Sequence, residues 1–177
     1  MITERSMKRV LRIWIGCLAS ASICGCNGSK KDTVSYYLIN HTDMWVSALS
    51  VNGEGGILNA EPMGGGGKEM CCVVLPHVWR PGLMVTIKWE EDGGWAKDAS
   101  GTFIMQDGYY KARRDLPTVY KTKTVEVPEY KGQDADGQFF INIFPNDVVK
   151  VLRFSGGPGR PAYPYPDPEP ITQSKKP

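Results

Sequence analysis

Two places in this 177-residue sequence put reactive side chains at telling spacings. The first is Ile23-Cys24-Gly25-Cys26, where small residues precede a cysteine whose thiol can take a diacylglyceryl group. Cleavage ahead of that residue would leave Cys26 as the new N-terminus. Lys8, Arg9 and Arg12 form a basic leader, and residues 13–23 are apolar or small throughout. That run suits a signal peptide and falls short of the ~20 residues of a membrane span. Residues 1–25 therefore read as a lipoprotein signal peptide, Cys26 as the lipidation site and residues 26–33 as a solvated tether. Asn27 follows the cysteine where an aspartate would favour the inner membrane. The expected location is the periplasmic face of the outer membrane, held by the Cys26 lipid.

The second place is Cys71-Cys72. Cys17 and Cys24 leave with the signal peptide, so these two are the cysteines of the body. Neighbouring strand residues point to opposite faces, which makes an ordinary bridge between them awkward. In an oxidising compartment two free thiols would be unusual. Two readings stay open, buried or bridged structural cysteines and a vicinal disulfide that stiffens a loop. No C-x-x-C motif and no histidine at ligand spacing accompanies them, so no metal site is expected.

Other chemistry is sparse. The two histidines, His41 and His77, both sit in turn-like contexts; His41 reads as a turn-capping or surface residue, and His77 as one that packs or caps its loop. There is no G-x-S-x-G elbow and no H-E-x-x-H pair. Gly64-Gly65-Gly66-Gly67 before Lys68 has a phosphate-loop look, but Pro62 stands at the first glycine position and Glu69 replaces the serine or threonine. No catalytic residue, cofactor or small-molecule substrate is assigned, and the expectation is a protein that is not an enzyme. The basic residues of the leader exceed the formal net charge of +2, which leaves a nearly neutral body. Nucleic-acid binding needs a concentrated basic face, so it is not expected.

The elements that would position these residues are short and punctuated by turns. Residues 34–41 and 45–51 read as a hairpin about Thr42-Asp43-Met44. Residues 70–75 and 83–89 read as a second, joined through Pro81-Gly82. Glu90-Glu91-Asp92 reads as a solvated tip, 100–106 as a strand and 107–114 as a turn or two of helix. Residues 118–127 alternate and carry lysines suited to a sheet edge. Residues 138–144 and 148–154 bracket Pro145-Asn146-Asp147 as a final hairpin. The sum is an all-β fold, an antiparallel β-sandwich of about seven to nine strands over residues 34–155. Seven of the thirteen prolines fall after residue 156, so residues 156–177 are expected to be a disordered Pro-rich tail.

Within residues 37–89, the order Val51-Asn52-Gly53, Gly55-Gly56, the tetraglycine, Cys71-Cys72-Val73-Val74-Leu75-Pro76, Trp79-Arg80-Pro81-Gly82-Leu83 and the V-x-I-x-W of Val85, Ile87 and Trp89 is distinctive. It resembles a family of uncharacterised bacterial lipoproteins associated with type VI secretion lipase effectors, the Tli-type lipase immunity proteins. That resemblance implies a lipid-anchored periplasmic immunity protein that binds and neutralises a phospholipase effector. The glycine-rich excursion would then be the plug for the lipase cleft, with Ile57, Leu58 and Met63 as apolar contacts. Glu54 and Glu61 would form its polar rim and Trp79 an anchor. The alternatives are a structural envelope lipoprotein of a secretion or surface assembly, its Tyr163-Pro164-Tyr165-Pro166 segment reaching a partner, and a carbohydrate-binding sandwich with Trp45, Trp89 or Trp95 as stacking platforms.

Overall fold

The computed structural model describes residues 30–65, 69–113 and 115–168. The expected signal peptide, Cys26 and residues 169–177 lie outside them. Five strands form the first half: β1 (Lys31–Asn40), β2 (Trp45–Val51), β3 (Glu54–Ala60), β4 (Gly64–Gly65) and β5 (Met70–Pro76). Next come β6 (Met84–Asp92) and four two-residue pieces, β7 (Gly94–Trp95), β8 (Met105–Gln106), β9 (Tyr109–Tyr110) and β10 (Ala112–Arg113). The chain ends with β11 (Val119–Glu126), a 3-10 turn over Gly132–Asp136, β12 (Gln138–Phe144) and β13 (Val148–Phe154).

Two sheets pack face to face. The first runs β13-β12-β1, with β4 and β5 both pairing to the far side of β1. The second is antiparallel and runs β11-β6-β2-β3. Alternation decides what lies between them. Val34, Tyr36 and Leu38 of β1, Phe139, Ile141 and Ile143 of β12, and Val149 and Val151 of β13 face Val46, Leu49 and Val51 of β2 and Val85, Ile87 and Trp89 of β6. The fold is the expected all-β sandwich, and its eight strands of seven residues or more fall within the expected count. One pairing departs from the antiparallel rule: β1 and β12 are parallel, from Tyr36 opposite Phe139 to Asn40 opposite Ile143.

The final hairpin has the expected bounds, and Asn146 and Asp147 take the positive φ that the turn needs, at 61° and 59°. As expected, β11 is an edge, paired to β6 alone. Neither of the first two hairpins forms. β1 and β2 lie in different sheets, as do β5 and β6, because each carries one apolar face and those faces bury each other across the core. The expected helix at 107–114 is instead a tight hairpin of β8 and β9 about Asp107-Gly108, followed by β10. Glu90–Asp92 belong to β6 and are no solvated tip; Glu91 is buried and ion-paired to Lys121 at 2.7 Å.

The termini of the domain also differ from expectation. β1 begins at Lys31, so the last part of the expected tether is already sheet. Residues 156–168 are an ordered strap across the outer face of the first sheet, where a disordered tail was expected. Tyr163 is buried in a second apolar cluster with Ile39, Phe140 and Leu152, and Tyr37, Phe154 and Tyr165 pack around it. Prolines exclude helix and ladder pairing. They also leave little chain entropy to lose on docking, so buried Tyr163 and half-buried Tyr165 hold the strap.

Candidate functional site

The glycine excursion is built on an irregular edge. Along β3, Gly55 lies opposite Ser50 and Leu58 opposite Leu49, so Gly56 and Ile57 are extra residues pushed out of the ladder. Gly55 and Gly56 take φ of +93° and +94°, a backbone state that side chains resist. At Gly55 a Cβ would also sit 1.9 Å from the Tyr36 hydroxyl, whose oxygen donates to the Glu54 carbonyl at 3.5 Å. The bulge therefore needs glycine on two counts, and its product is Ile57 held 71 % exposed beside the exposed Glu54.

The six residues proposed for the plug do not form one surface. Ile57 and Glu54 project from the bulge, and Glu61 is exposed farther along the excursion. Leu58 is 2 % exposed and belongs to the core. Met63 is half-buried at φ +50°, its amide bonded to the Thr42 carbonyl at 2.8 Å. Trp79 stands on the loop after β5, packs against the core and donates its indole N–H to the Val127 carbonyl at 2.8 Å. Leu58 and Trp79 are thus structural. Cys71 and Cys72 are joined by a vicinal disulfide on β5, with Cys71 exposed.

At the end where β1 begins, Asp32 brackets three segments. Its Oδ2 accepts from His77 Nδ1 at 2.8 Å and from Arg153 Nη2 at 2.9 Å. Hydrogen bonds from His77 and then Arg153 hold the Asp32 carboxyl below its ordinary range. Arg153, 5 % exposed, also donates Nε to the Gly137 carbonyl at 3.3 Å and lies 5.1 Å over the Tyr130 ring. A carboxylate beside an imidazole can orient a base, but this one is shared with a buried guanidinium, which makes it a structural tie between the sheet ends. His77 also contributes, with Trp79 and Tyr130, to a shallow cleft of about 360 Å3.

His41 is not the surface residue that its turn context implied. It is 8 % exposed, stacked on Phe144 at 4.1 Å, and its Nε2–H donates to Asn142 Oδ1 at 3.1 Å. Asn142 in turn donates to the Tyr163 hydroxyl at 2.9 Å, so the strap closes a buried polar chain. Burial holds the His41 pKa below its ordinary value, against the Asn142 hydrogen bond and the charge of Asp167. Burial pushes the Tyr163 phenol up to about 12.

The opposite end of the sandwich carries an aromatic group. Asn40 fixes the preceding turn, donating to the carbonyls of Met44 at 2.7 Å and Glu61 at 2.9 Å. Gly94, at φ +151°, passes so close that a Cβ would meet the Asp43 carbonyl at 2.5 Å. This close approach brings Trp95 against Trp45, edge to face at 5.5 Å, and Tyr110 and Phe103 extend the cluster. Lys97 caps it, ion-paired to Asp43 and 4.8 Å over the Phe103 ring. Beside Trp45 is a cleft of about 550 Å3 lined by Trp45, Val46, Ser47, Asn59 and Asp92. Trp89, the third expected platform, is 2 % exposed and unavailable for stacking. The sequence signal for this was the alternation Val85, Ile87, Trp89, Glu91, which places all four inward.

Among the described residues no group of three or more histidines, cysteines, aspartates or glutamates could hold a metal ion, and no helix is long and apolar enough to cross a membrane. Comparison with curated proteins gave no match, and comparison with solved structures gave none. A family model described as a protein of unknown function, DUF3304, matches residues 39–151, more than half of the chain, from the end of β1 into β13, and the chain belongs to that family.

Proposed function

We propose that this is a lipid-anchored periplasmic immunity protein that binds and neutralises a phospholipase effector of type VI secretion, acting by contact and catalysing nothing. The observation that carries the reading is the two-glycine bulge. An isoleucine 71 % exposed on a strand edge, positioned by strained backbone, is suited to enter an apolar cleft. The neighbouring ladder fixes that backbone before binding, which limits the ordering entropy lost on association. The sequence resemblance over residues 37–89 supplies the partner class. A Cys26 lipid would hold the protein at the membrane the toxin attacks, raising its local concentration there.

The contact set is narrower than the sequence implied: Ile57, Glu54 and Glu61, with Met63 partly accessible. The test is co-expression of the protein with lipases from neighbouring genes, scored by survival and co-purification. Ile57→Asp should abolish protection while leaving the melting temperature within a degree or two. A folded Ile57→Asp protein that still protects would remove the bulge from the interface. Failure of every neighbouring lipase to bind the wild-type protein would remove the immunity reading itself.

A further inference from the structure

We infer that the cleft beside Trp45 is a glycan-binding site, and that its ligand is the N-acetylated amino-sugar strand of the cell wall. Its lining comes from three neighbouring strands of the second sheet. Trp45 and Asp92 are directly opposed across β2 and β6, Ser47 lies two residues along on the same face, and Asn59 projects from β3. All four therefore present to the sheet's outer face, which no strap covers among the described residues.

The chemistry of this lining selects its ligand. Half-buried Trp45, braced edge-on by Trp95 at 5.5 Å, offers a fixed apolar plate for the C–H face of a pyranose ring. Asn59 Oδ1 already accepts from the Ala48 amide at 3.0 Å, which orients its free N–H2 as a donor. The Asp92 carboxylate and the Trp45 indole N–H have no hydrogen-bonding partner among the described residues, and Ser47 adds a hydroxyl. Sugar hydroxyls donate and accept at once, and an acetamido N–H needs an acceptor such as Asp92. The lining holds a carboxylate and no cation, which disfavours phosphate and other anions. About 550 Å3 is within the ~300–1,000 Å3 range of small-ligand clefts.

Geometry supplies the source of the ligand. This part of the inference rests on the lipid-anchor reading. From Cys26 to Lys31 the chain reaches at most about 18 Å. β1 then runs ten residues, about 33 Å, to the end where Trp45 lies. The cleft thus stands at the end away from the anchor, facing the wall that lies beneath the outer membrane.

The test uses the purified mature lipoprotein in detergent, with mass spectrometry reporting Cys26 acylation separately. Sedimentation with insoluble wall sacculi and titration with chitotetraose should both show binding, and cellotetraose should bind at least tenfold more weakly. Trp45→Ala should weaken chitotetraose binding tenfold or more. Asp92→Asn, at a position whose exposed carboxylate bonds to no side chain or backbone group among the described residues, should weaken it several-fold with an unchanged melting curve. Tyr120→Ala, exposed on β11 of the same sheet, should bind as wild type. Absence of binding by the wild type would overturn the inference, as would a folded Asp92→Asn that binds chitotetraose fully. If both cleft variants lose lipase neutralisation while keeping glycan binding, the cleft is a protein interface and the inference fails. An unacylated Cys26 with chitotetraose binding intact would remove only the orientation argument.

Discussion

Replacing Tyr163 by alanine tests whether the proline-rich strap is part of the domain. The ring is 7 % exposed and meets Phe140 at 5.5 Å, Phe154 at 5.9 Å and Tyr165 at 5.9 Å. Burying an aromatic side chain of this kind contributes about 3 kcal/mol. Loss of the hydrogen bond leaves the Asn142 amide, itself fully buried, short of a partner at about 1 kcal/mol. The sum, about 3–4 kcal/mol, lowers the docking equilibrium a few hundred-fold, since every ~1.4 kcal/mol is tenfold. The readout is hydrogen exchange at the strap's own turn amides, Arg160 bonded to the Gly157 carbonyl at 3.2 Å and Tyr163 bonded to the Arg160 carbonyl at 2.9 Å. Their protection should fall by that factor while protection in β6, in the other sheet, stays within twofold. Tyr163→Phe keeps the ring and should lose only about tenfold. Unchanged protection in Tyr163→Ala would show that the tyrosine does not hold the strap, and the account of the second cluster would be wrong.

The remaining expectations concern backbone, charge and protonation. Gly55→Ala should destabilise the domain by more than the ~1–3 kcal/mol of a strained φ alone, because its Cβ meets Tyr36, whereas Gly53→Ala at φ +88° with open space around it should show the strain only; urea midpoints compare the two. Asp32 has a folded pKa below its unfolded value of about 3.9, so its contribution to stability is present above that pH and lost as pH falls through the folded value. Asp32→Asn should flatten that acid limb in a series of melting temperatures against pH. His41 has the opposite charge and is also lowered, so the unfolded chain takes up the proton first. Stability should decline as pH falls below about 6.5, and His41→Gln should remove that slope in the same series. Glu91→Ala should lower the melting temperature more than Glu90→Ala, since Glu91 is buried against Lys121 and the Trp89 indole.

What was legible in the sequence was local. The β12–β13 hairpin was readable because its strands are adjacent and joined by a turn rich in residues that accept positive φ. The alternation of β11 was readable as an edge because its lysines punctuate one strand. Two features were equally local and still misread. Asp107-Gly108 between Met105-Gln106 and Tyr109-Tyr110 is a hairpin signal, at odds with the helix expected over residues 107–114. The period-two run from Val85 also extends through Trp89 to Glu91, so the burial of both could have been deduced from spacing.

The rest depends on contacts between distant parts of the chain, and no local pattern carries them. Nothing near Tyr36 announces its parallel partner Phe139, a pairing about a hundred residues away in sequence. The same is true of His41. By its neighbours it is a turn residue, and it becomes buried because Asn142 and Phe144 arrive from β12 and the strap lies against the same face. The candidate sites divide along this line. The Ile57 bulge is written in consecutive glycines, so the sequence pointed to it directly. The Trp45 cleft is made by register: Trp45 meets Asp92 only because β2 crosses to the second sheet and pairs with β6 instead of folding back on β1. Had the expected β1–β2 hairpin formed, Asp92 and Asn59 would not share a face with Trp45, and a ligand would find a lone tryptophan. The crossover at residues 41–44, held by the Asn40 side chain, is therefore the step that creates the cleft. Asn40→Ala should loosen chitotetraose binding without touching any residue that lines the site.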